Sequence, residues 1–126
     1  MRPTGRHEAF PPSLLSVREA RRFVRTSVST YLPVPDLETV ELLTSEVVTN
    51  AVVHAGSSPV VEVAADGGTV RVSVEDHDPA WPMPRAVPED ATSGRGMGLV
   101  DTMADAWGVE QAAPRGKRIW FEVRGR

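Results

Sequence analysis

PVVEVAADGGTVRVSVED, residues 59–76, contains the strand pattern from which the fold class of this chain follows. Apolar and polar residues alternate in its second half, so one face of a strand is buried and the other meets solvent. Asp66-Gly67-Gly68 separates the two halves and is a hairpin-turn signal. The stretch therefore predicts two antiparallel strands whose core-facing row includes Val70, Val72 and Val74.

The segment before the hairpin predicts two helices. In the first, apolar residues recur at three- and four-residue steps from Val17 to Tyr31, and Ser16 with Glu19 forms a capping-box signal. Asp36 is placed to cap the second helix, which runs to about residue 55. Its apolar stripe contains Val40, Leu43, Val47 and Ala51. Residues 1–13 carry no periodicity, so we expect a flexible N-terminal arm.

The segment after the hairpin adds a lid, a helix and a second hairpin. Residues 77–93 are rich in proline without a regular period, which is typical of a functional lid. Glycines then run into a short helix, and residues 107–113 and 117–123 predict strands that turn at Pro114-Arg115-Gly116. The order predicts an α+β two-layer sandwich in which a mostly antiparallel sheet packs on helices, forming one domain over residues 14–126.

The composition excludes several classes of function. The 126 residues carry a net charge of −3, which gives no electrostatic footprint for nucleic acid. Cysteine is absent, so neither disulfides nor thiolate metal sites are available. No apolar run reaches the length of a membrane span, and the N-terminus lacks a signal-peptide pattern. We therefore expect a cytoplasmic protein with no direct partner in nucleic acid or membrane.

Glu46, Asn50 and His54 follow one another at four-residue spacing on the second helix. Side chains spaced in this way share a helix face. A carboxylate and an amide oxygen suit Mg²⁺, and the carboxylate could alternatively be a general base. A solvated polar face is the plainer interpretation, and a lone His54 is typical of a helix terminus, where the dipole favours it.

Asp76 lies at the end of the core-facing row of the second strand. A buried carboxylate is costly without hydrogen-bond donors, and an adenine amino group is one donor that could satisfy it. The alternative is that Asp76 has left the strand and caps a turn.

Gly94, Gly96 and Gly98 alternate immediately before the third predicted helix. Without side chains, backbone N–H groups can approach phosphate oxygens, and a helix N-terminus favours an anion. Arg95 adds a guanidinium that can reach phosphate. A plain flexible turn is the alternative for an isolated pattern of this kind.

Taken together, these motifs resemble the histidine-kinase-like ATPase superfamily, and within it the anti-sigma-factor serine/threonine kinases. ELLTSEVVTNAVVHA (41–55) is similar to the N-box helix, VSVEDHD (72–78) to the first glycine box, and SGRGMGLVDTMADAWGV (93–109) to the second. GKRIWFEV (116–123) is similar to the last strand. The resemblance covers residues 14–124 and implies a Bergerat-type ATP-binding fold.

The resemblance also implies roles for single residues. Glu46 falls on the catalytic base, Asn50 on the Mg²⁺-binding amide and Asp76 on the adenine-binding acid. The expected cofactors are ATP and Mg²⁺, and the cofactor-binding set is Asn50, His54, Asp76, Gly94, Arg95, Gly96 and Gly98. The implied partners are a sigma factor and a STAS-type antagonist that is phosphorylated on serine. A homodimer is a further expectation, since family members often dimerise.

Two positions depart from the family pattern. Asp78 stands where the first box has glycine, and Arg118 stands where the last strand often has a threonine that supports the adenine acid. Either ATP binds less tightly, or another group takes over the role of the threonine. A further alternative is that Asp78 and Arg118 pair with each other. Two other functions therefore stay open beside the kinase: a regulator that only binds its partner, and the catalytic module of a sensor histidine kinase.

Overall fold

An antiparallel sheet with helices packed on one face forms the fold, in a computed structural model that describes residues 4–30, 36–55, 58–76, 98–112 and 116–125. The strands are β1 (Thr4–Ala9), β2 (Val60–Asp66), β3 (Thr69–Asp76), β4 (Ala106–Gln111) and β5 (Lys117–Arg124). Their order across the sheet is β1-β2-β3-β5-β4, and every neighbouring pair is antiparallel. The predicted α+β class and mostly antiparallel sheet are confirmed.

The turn between β2 and β3 has the conformation that its sequence predicts. Gly67 and Gly68 have φ of 61° and 88°, values that residues with a Cβ rarely adopt. Two consecutive positive φ angles are typical of a two-residue turn whose twist matches that of the flanking strands. This turn fixes a register in which Val60 lies opposite Glu75 and Val63 opposite Val72.

Two helices form the second layer, α1 (Leu15–Val28) and α2 (Leu37–Asn50), and residues 98–103 form a short third helix, α3. Asp36 caps α2 as predicted, because its side chain accepts hydrogen bonds from the backbone N–H groups of Glu38 and Thr39. The capping box predicted at Ser16 is wrong. α1 begins one residue before Ser16, whose hydroxyl instead donates to the Pro11 carbonyl oxygen at 2.7 Å.

The core lies between these helices and one face of the sheet. The predicted stripe of α2 is buried, and so is the valine row of β3. β5 contributes the alternating residues Ile119, Phe121 and Val123 to the same face. We call this the helix-facing side of the sheet and the opposite one the outer side.

The N-terminal segment differs from its prediction. Residues 4–9 form the edge strand β1, paired with β2 from Thr4 opposite Ala65 to Ala9 opposite Val60, so a flexible arm over residues 1–13 is wrong for this part. Residues 5–9 of the strand are exposed on both faces. An edge strand that buries neither face needs no alternation of apolar and polar residues, which is why the sequence pattern did not reveal it.

Within the residues that the structure describes, no helix is long and apolar enough to cross a membrane. The predicted lid, residues 77–93, lies outside the described residues.

Candidate functional site

Asp76 occupies the position that its spacing predicts. It is the last residue of β3, on the helix-facing side, and only 2% of its surface is exposed. The alternative of a turn-capping residue outside the strand is therefore wrong. An acid at this depth must be hydrogen-bonded or paired, because a buried unpaired carboxylate is strongly destabilising.

A lysine satisfies much of that requirement within the chain. Lys117 lies directly opposite Asp76 in the sheet, and its Nζ is 2.9 Å from the Asp76 Oδ2. Our sequence reasoning missed this residue. The signal was present, because Lys117 has the same strand parity as Ile119, Phe121 and Val123, just as Asp76 has the parity of the β3 valines.

Glu46 and Asn50 lie on the last turns of α2 and are both half-buried. The neighbouring residues Val47 and Ala51 belong to the core, so the two polar side chains flank the buried stripe of the helix. A fully solvated polar face would leave both residues exposed. The intermediate burial instead favours a border position between the core and the solvent.

The predicted alignment of the His54 side chain with Glu46 and Asn50 lies outside the side chains that the structure describes. α2 ends at Asn50 and passes into a π-helical turn, Ala51–Ala55. The π turn replaces hydrogen bonds between residues four apart by hydrogen bonds between residues five apart. Short π-helical segments are frequent at functional sites, because they re-aim the residues that follow them.

The end of α2 and Asp76 lie at the same end of the sheet. The π-helical turn packs on β3. Val60, five residues beyond Ala55, pairs with Glu75, the neighbour of Asp76. Five residues of chain span at most roughly 18 Å. The fold therefore brings the Glu46–Asn50 helix end and the buried acid into one region.

The glycine motif is described only at its last member, since Gly94, Arg95 and Gly96 lie outside the described residues. Gly98 is the first described residue of α3 and is exposed. A Cβ added there would meet nothing within 4 Å, so packing among the described residues does not require glycine. None of the described residues occupies the space beside the Gly98 Cα.

Arg118 belongs to the outer side of the sheet, which corrects its predicted position. Its guanidinium contacts the Glu75 Oε1 at 2.8 Å and the Glu110 Oε1 at 3.2 Å, with Glu75 directly opposite in register. The hydrogen bond that Arg118 donates to Glu75 raises the pKa of Arg118 above its usual value. Arg118 therefore does not support Asp76, and the residue opposite Asp76 is Lys117.

The residues of the helix-facing side fit a purine nucleotide. Asp76 offers an acceptor and Lys117 a donor at the end of the buried row. Glu46 and Asn50 offer oxygen ligands of the type that Mg²⁺ takes while retaining several waters. The described residues contain no group of three or more His, Cys, Asp or Glu side chains that could hold a metal ion by themselves.

Comparisons with known proteins match most of the chain to a known domain. The family model of the histidine kinase-like ATPase domain matches residues 10–123. The chain is also similar to an uncharacterized protein of Streptomyces coelicolor, with 37% identity over 76 residues that cover 56% of this chain and 72% of the relative.

Proposed function

The chain belongs to the histidine kinase-like ATPase domain family, and from that premise we propose that it is an ATP-dependent serine kinase of the anti-sigma-factor type. In this proposal it phosphorylates a serine on a STAS-type antagonist protein and sequesters a sigma factor. The family supports ATP as the nucleotide. The choice of substrate and partner rests on the resemblance of residues 41–55, 72–78 and 93–109 to the motifs of the anti-sigma-factor kinases.

The observation that carries the proposal is the burial of Asp76 on the helix-facing side, at the end of the sheet where α2 also ends. A buried carboxylate at the end of a valine row adds nothing to the core that an apolar residue would not. It is, however, an acceptor on a residue that is held in the sheet by its pairing with Lys117 of β5. An exocyclic amino group of adenine is a donor of matching chemistry, so Asp76 selects the base.

Asn50 and the glycines of residues 94–98 hold the phosphate end of the nucleotide in this proposal. Asn50 provides an amide oxygen for Mg²⁺, which in turn coordinates phosphate oxygens. Gly94, Gly96 and Gly98 allow backbone N–H groups to approach the phosphates, and Arg95 adds a positive charge. His54 is retained as a cofactor-binding candidate one turn beyond Asn50.

Glu46 is the proposed catalytic residue. When bound, ATP supplies the γ-phosphoryl group that is transferred. The Glu46 carboxylate accepts the proton of the incoming serine hydroxyl as the serine oxygen attacks the phosphoryl group. Most of the remaining catalysis in phosphoryl transfer comes from positioning of the reactants and neutralisation of charge. Half-burial on the last turns of α2 leaves Glu46 accessible to a partner's serine while keeping the helix as a rigid support.

A second function is favoured by one observation. Lys117 satisfies Asp76 inside the chain, so the acid does not need a nucleotide to be stable. A regulator that binds its partner without catalysis would retain the same fold and the same ion pair. In this alternative, nucleotide binding is weak or only shapes the surface that meets the partner.

Phosphate transfer distinguishes the two functions. The full chain is incubated with labelled ATP, Mg²⁺ and a STAS-type protein that it binds, and labelled serine is quantified, with a metal-chelated reaction as the control. The kinase proposal predicts Mg²⁺-dependent labelling of the STAS-type protein. Binding of both ATP and this protein without any labelling would replace the kinase by the non-catalytic regulator.

A further inference from the structure

Strand β1 forms one edge of the sheet and, among the residues that the structure describes, pairs only with β2. Residues 5–9 of this strand are exposed. An exposed edge presents a row of backbone N–H and C=O groups that can pair with a strand of another molecule, and proline or a bulge is a common way to block it. Thr4–Ala9 contains neither. The charges of this strand therefore decide which partner it accepts.

The hydrogen bonds to β2 determine which backbone groups of β1 point outward. The Phe10 N–H donates to the Pro59 carbonyl oxygen at 2.9 Å, and these two residues directly follow the pair of Ala9 with Val60. Hydrogen-bonded pairs alternate with non-hydrogen-bonded pairs along an antiparallel ladder. The even-numbered residues of β1 thus bond to β2, and the N–H and C=O groups of residues 5, 7 and 9 point away from the sheet.

This alternation limits the registers in which β1 can pair with β1 of a second copy. Across a two-fold axis, outward residues must lie opposite outward residues, so the axis passes at a residue and not between two. An axis at Arg6 sets two arginines face to face, and an axis at Glu8 sets two glutamates face to face. An axis at His7 instead places Arg6 of each copy opposite Glu8 of the other. Only this central register is favoured by charge.

Arg6 and Glu8 lie on the helix-facing side, where such contacts can form. Arg6 is opposite the buried Val63, and its guanidinium is 5.9 Å from the centroid of the Phe23 ring in α1. Among the described residues, neither Arg6 nor Glu8 belongs to an ion pair. In the register centred on His7 they form non-hydrogen-bonded cross-strand pairs, in which opposed side chains approach most closely.

We propose that the chain forms a two-fold symmetric dimer through β1, centred on His7 and held by two reciprocal pairs of Arg6 with Glu8. The occupant of the free edge is a second copy of this chain, and the two sheets join into one antiparallel sheet. This register gives the expected homodimer a specific interface. Since the interface is only one strand wide, the dimer belongs to the weak and concentration-dependent class. It does not depend on the binding of nucleotide.

Reversal of the two charges tests this register. Sedimentation equilibrium of the wild type from about 10 μM to 1 mM should reveal a concentration-dependent dimer. Arg6→Glu sets glutamate opposite glutamate in both pairs, and Glu8→Arg sets arginine opposite arginine. Because two attractive pairs become repulsive, each variant should dimerise more weakly by roughly tenfold or more. The double variant Arg6→Glu/Glu8→Arg restores both pairs with the charges exchanged and should dimerise like the wild type.

Two further samples separate the register from a general effect of charge. An equimolar mixture of the two single variants should form a heterodimer, because the acidic strand of one then faces the basic strand of the other. Arg124→Glu is the matched control, a charge reversal at an exposed position of β5, and it should dimerise like the wild type. Circular dichroism checks that every variant is folded, as expected for substitutions at exposed positions.

Each of the other outcomes contradicts the proposal. A wild type that stays monomeric at the highest of these concentrations would overturn the dimer itself. Dimerisation of Arg6→Glu or Glu8→Arg with wild-type affinity would place the interface elsewhere. A folded double variant that stays monomeric, or a mixture of the single variants without a heterodimer, would overturn the reciprocal pairing of Arg6 with Glu8.

Discussion

Two ion pairs in adjacent residues of the same two strands have opposite surroundings. Asp76 and Lys117 meet on the helix-facing side, with 3% and 16% of their side chains exposed. One residue away, Glu75 and Arg118 meet on the outer side, with 22% and 35% exposed, and Glu110 joins them at 3.2 Å. Both pairs join directly opposed residues of β3 and β5. The distance between the charged nitrogen and oxygen atoms is also similar, at 2.9 Å for Lys117–Asp76 and 2.8 Å for Arg118–Glu75.

The difference between the two pairs indicates which side of the sheet carries function. An exposed pair between neighbouring strands needs no further explanation, since cross-strand ion pairs of this kind give small and salt-dependent stabilisation. A buried pair is different, because desolvation offsets most of the attraction between its charges. Its position at the end of the sheet where α2 also ends is consistent with a binding site on the helix-facing side.

The largest contrast is expected in catalysis. Glu46→Gln keeps the shape of the side chain and removes its basicity, and a general base typically contributes roughly 10²–10⁴-fold to rate. We expect phosphate transfer to fall by about that factor while ATP binding is retained. Glu62→Gln, an exposed position on the outer side of β2, is the control and should leave the rate unchanged. Transfer at the wild-type rate by Glu46→Gln would exclude Glu46 as the base.

The next contrast is in stability. Lys117→Met leaves Asp76 in the core without its ammonium partner, and removal of one member of a buried pair costs roughly 3 kcal/mol of unfolding free energy. Arg118→Met breaks partly exposed contacts and should cost less than about 1 kcal/mol. Urea denaturation of the two variants measures both values. Equal losses would mean that the two pairs do not differ as their burial indicates.

A smaller effect is expected from a glycine on the outer side. A Cβ at Gly108 would lie 2.9–3.0 Å from the indole of Trp120, which also lies under the Arg71 guanidinium. Gly108→Ala forces this ring to move and should cost about 1–2 kcal/mol, within the usual range for overpacking. ATP affinity should not change. A variant of wild-type stability would contradict the tight contact between Gly108 and Trp120.

The smallest effect has the opposite sign. Gly98 in α3 has open space where a Cβ would stand, and alanine is favoured over glycine in a helix by roughly 0.5–1 kcal/mol. Gly98→Ala should therefore raise the free energy of unfolding slightly while weakening ATP binding, because the new methyl group obstructs the approach of phosphate. Thermal melts and calorimetry measure the two quantities. Unchanged affinity would remove Gly98 from the site.

Local patterns predicted most of the fold, and long-range pairing accounts for what they missed. The β2–β3 hairpin and the Asp36 cap depend on neighbouring residues, so the sequence indicates them directly. The pairing of β3 with β5 joins residues that are 41 to 55 positions apart in the sequence. Strand parity places Lys117 on the helix-facing side, but no local period reveals that it lies opposite Asp76. Arg118 was matched to the family's threonine that supports the acid, whereas in the structure Arg118 lies on the outer side of the sheet.

The helix-facing end of β3 is proposed to bind a nucleotide. Calorimetry of nucleotide binding by Asp76→Asn measures whether it does. Asparagine keeps the size of the side chain and loses the charge that accepts from the amino group of the base. Titration with ATP and Mg²⁺ should reveal an affinity lower by roughly 10- to 100-fold. Glu75→Gln, the adjacent change on the outer side, should bind like the wild type. Equal binding by Asp76→Asn and the wild type, or equal losses in both variants, would contradict this account.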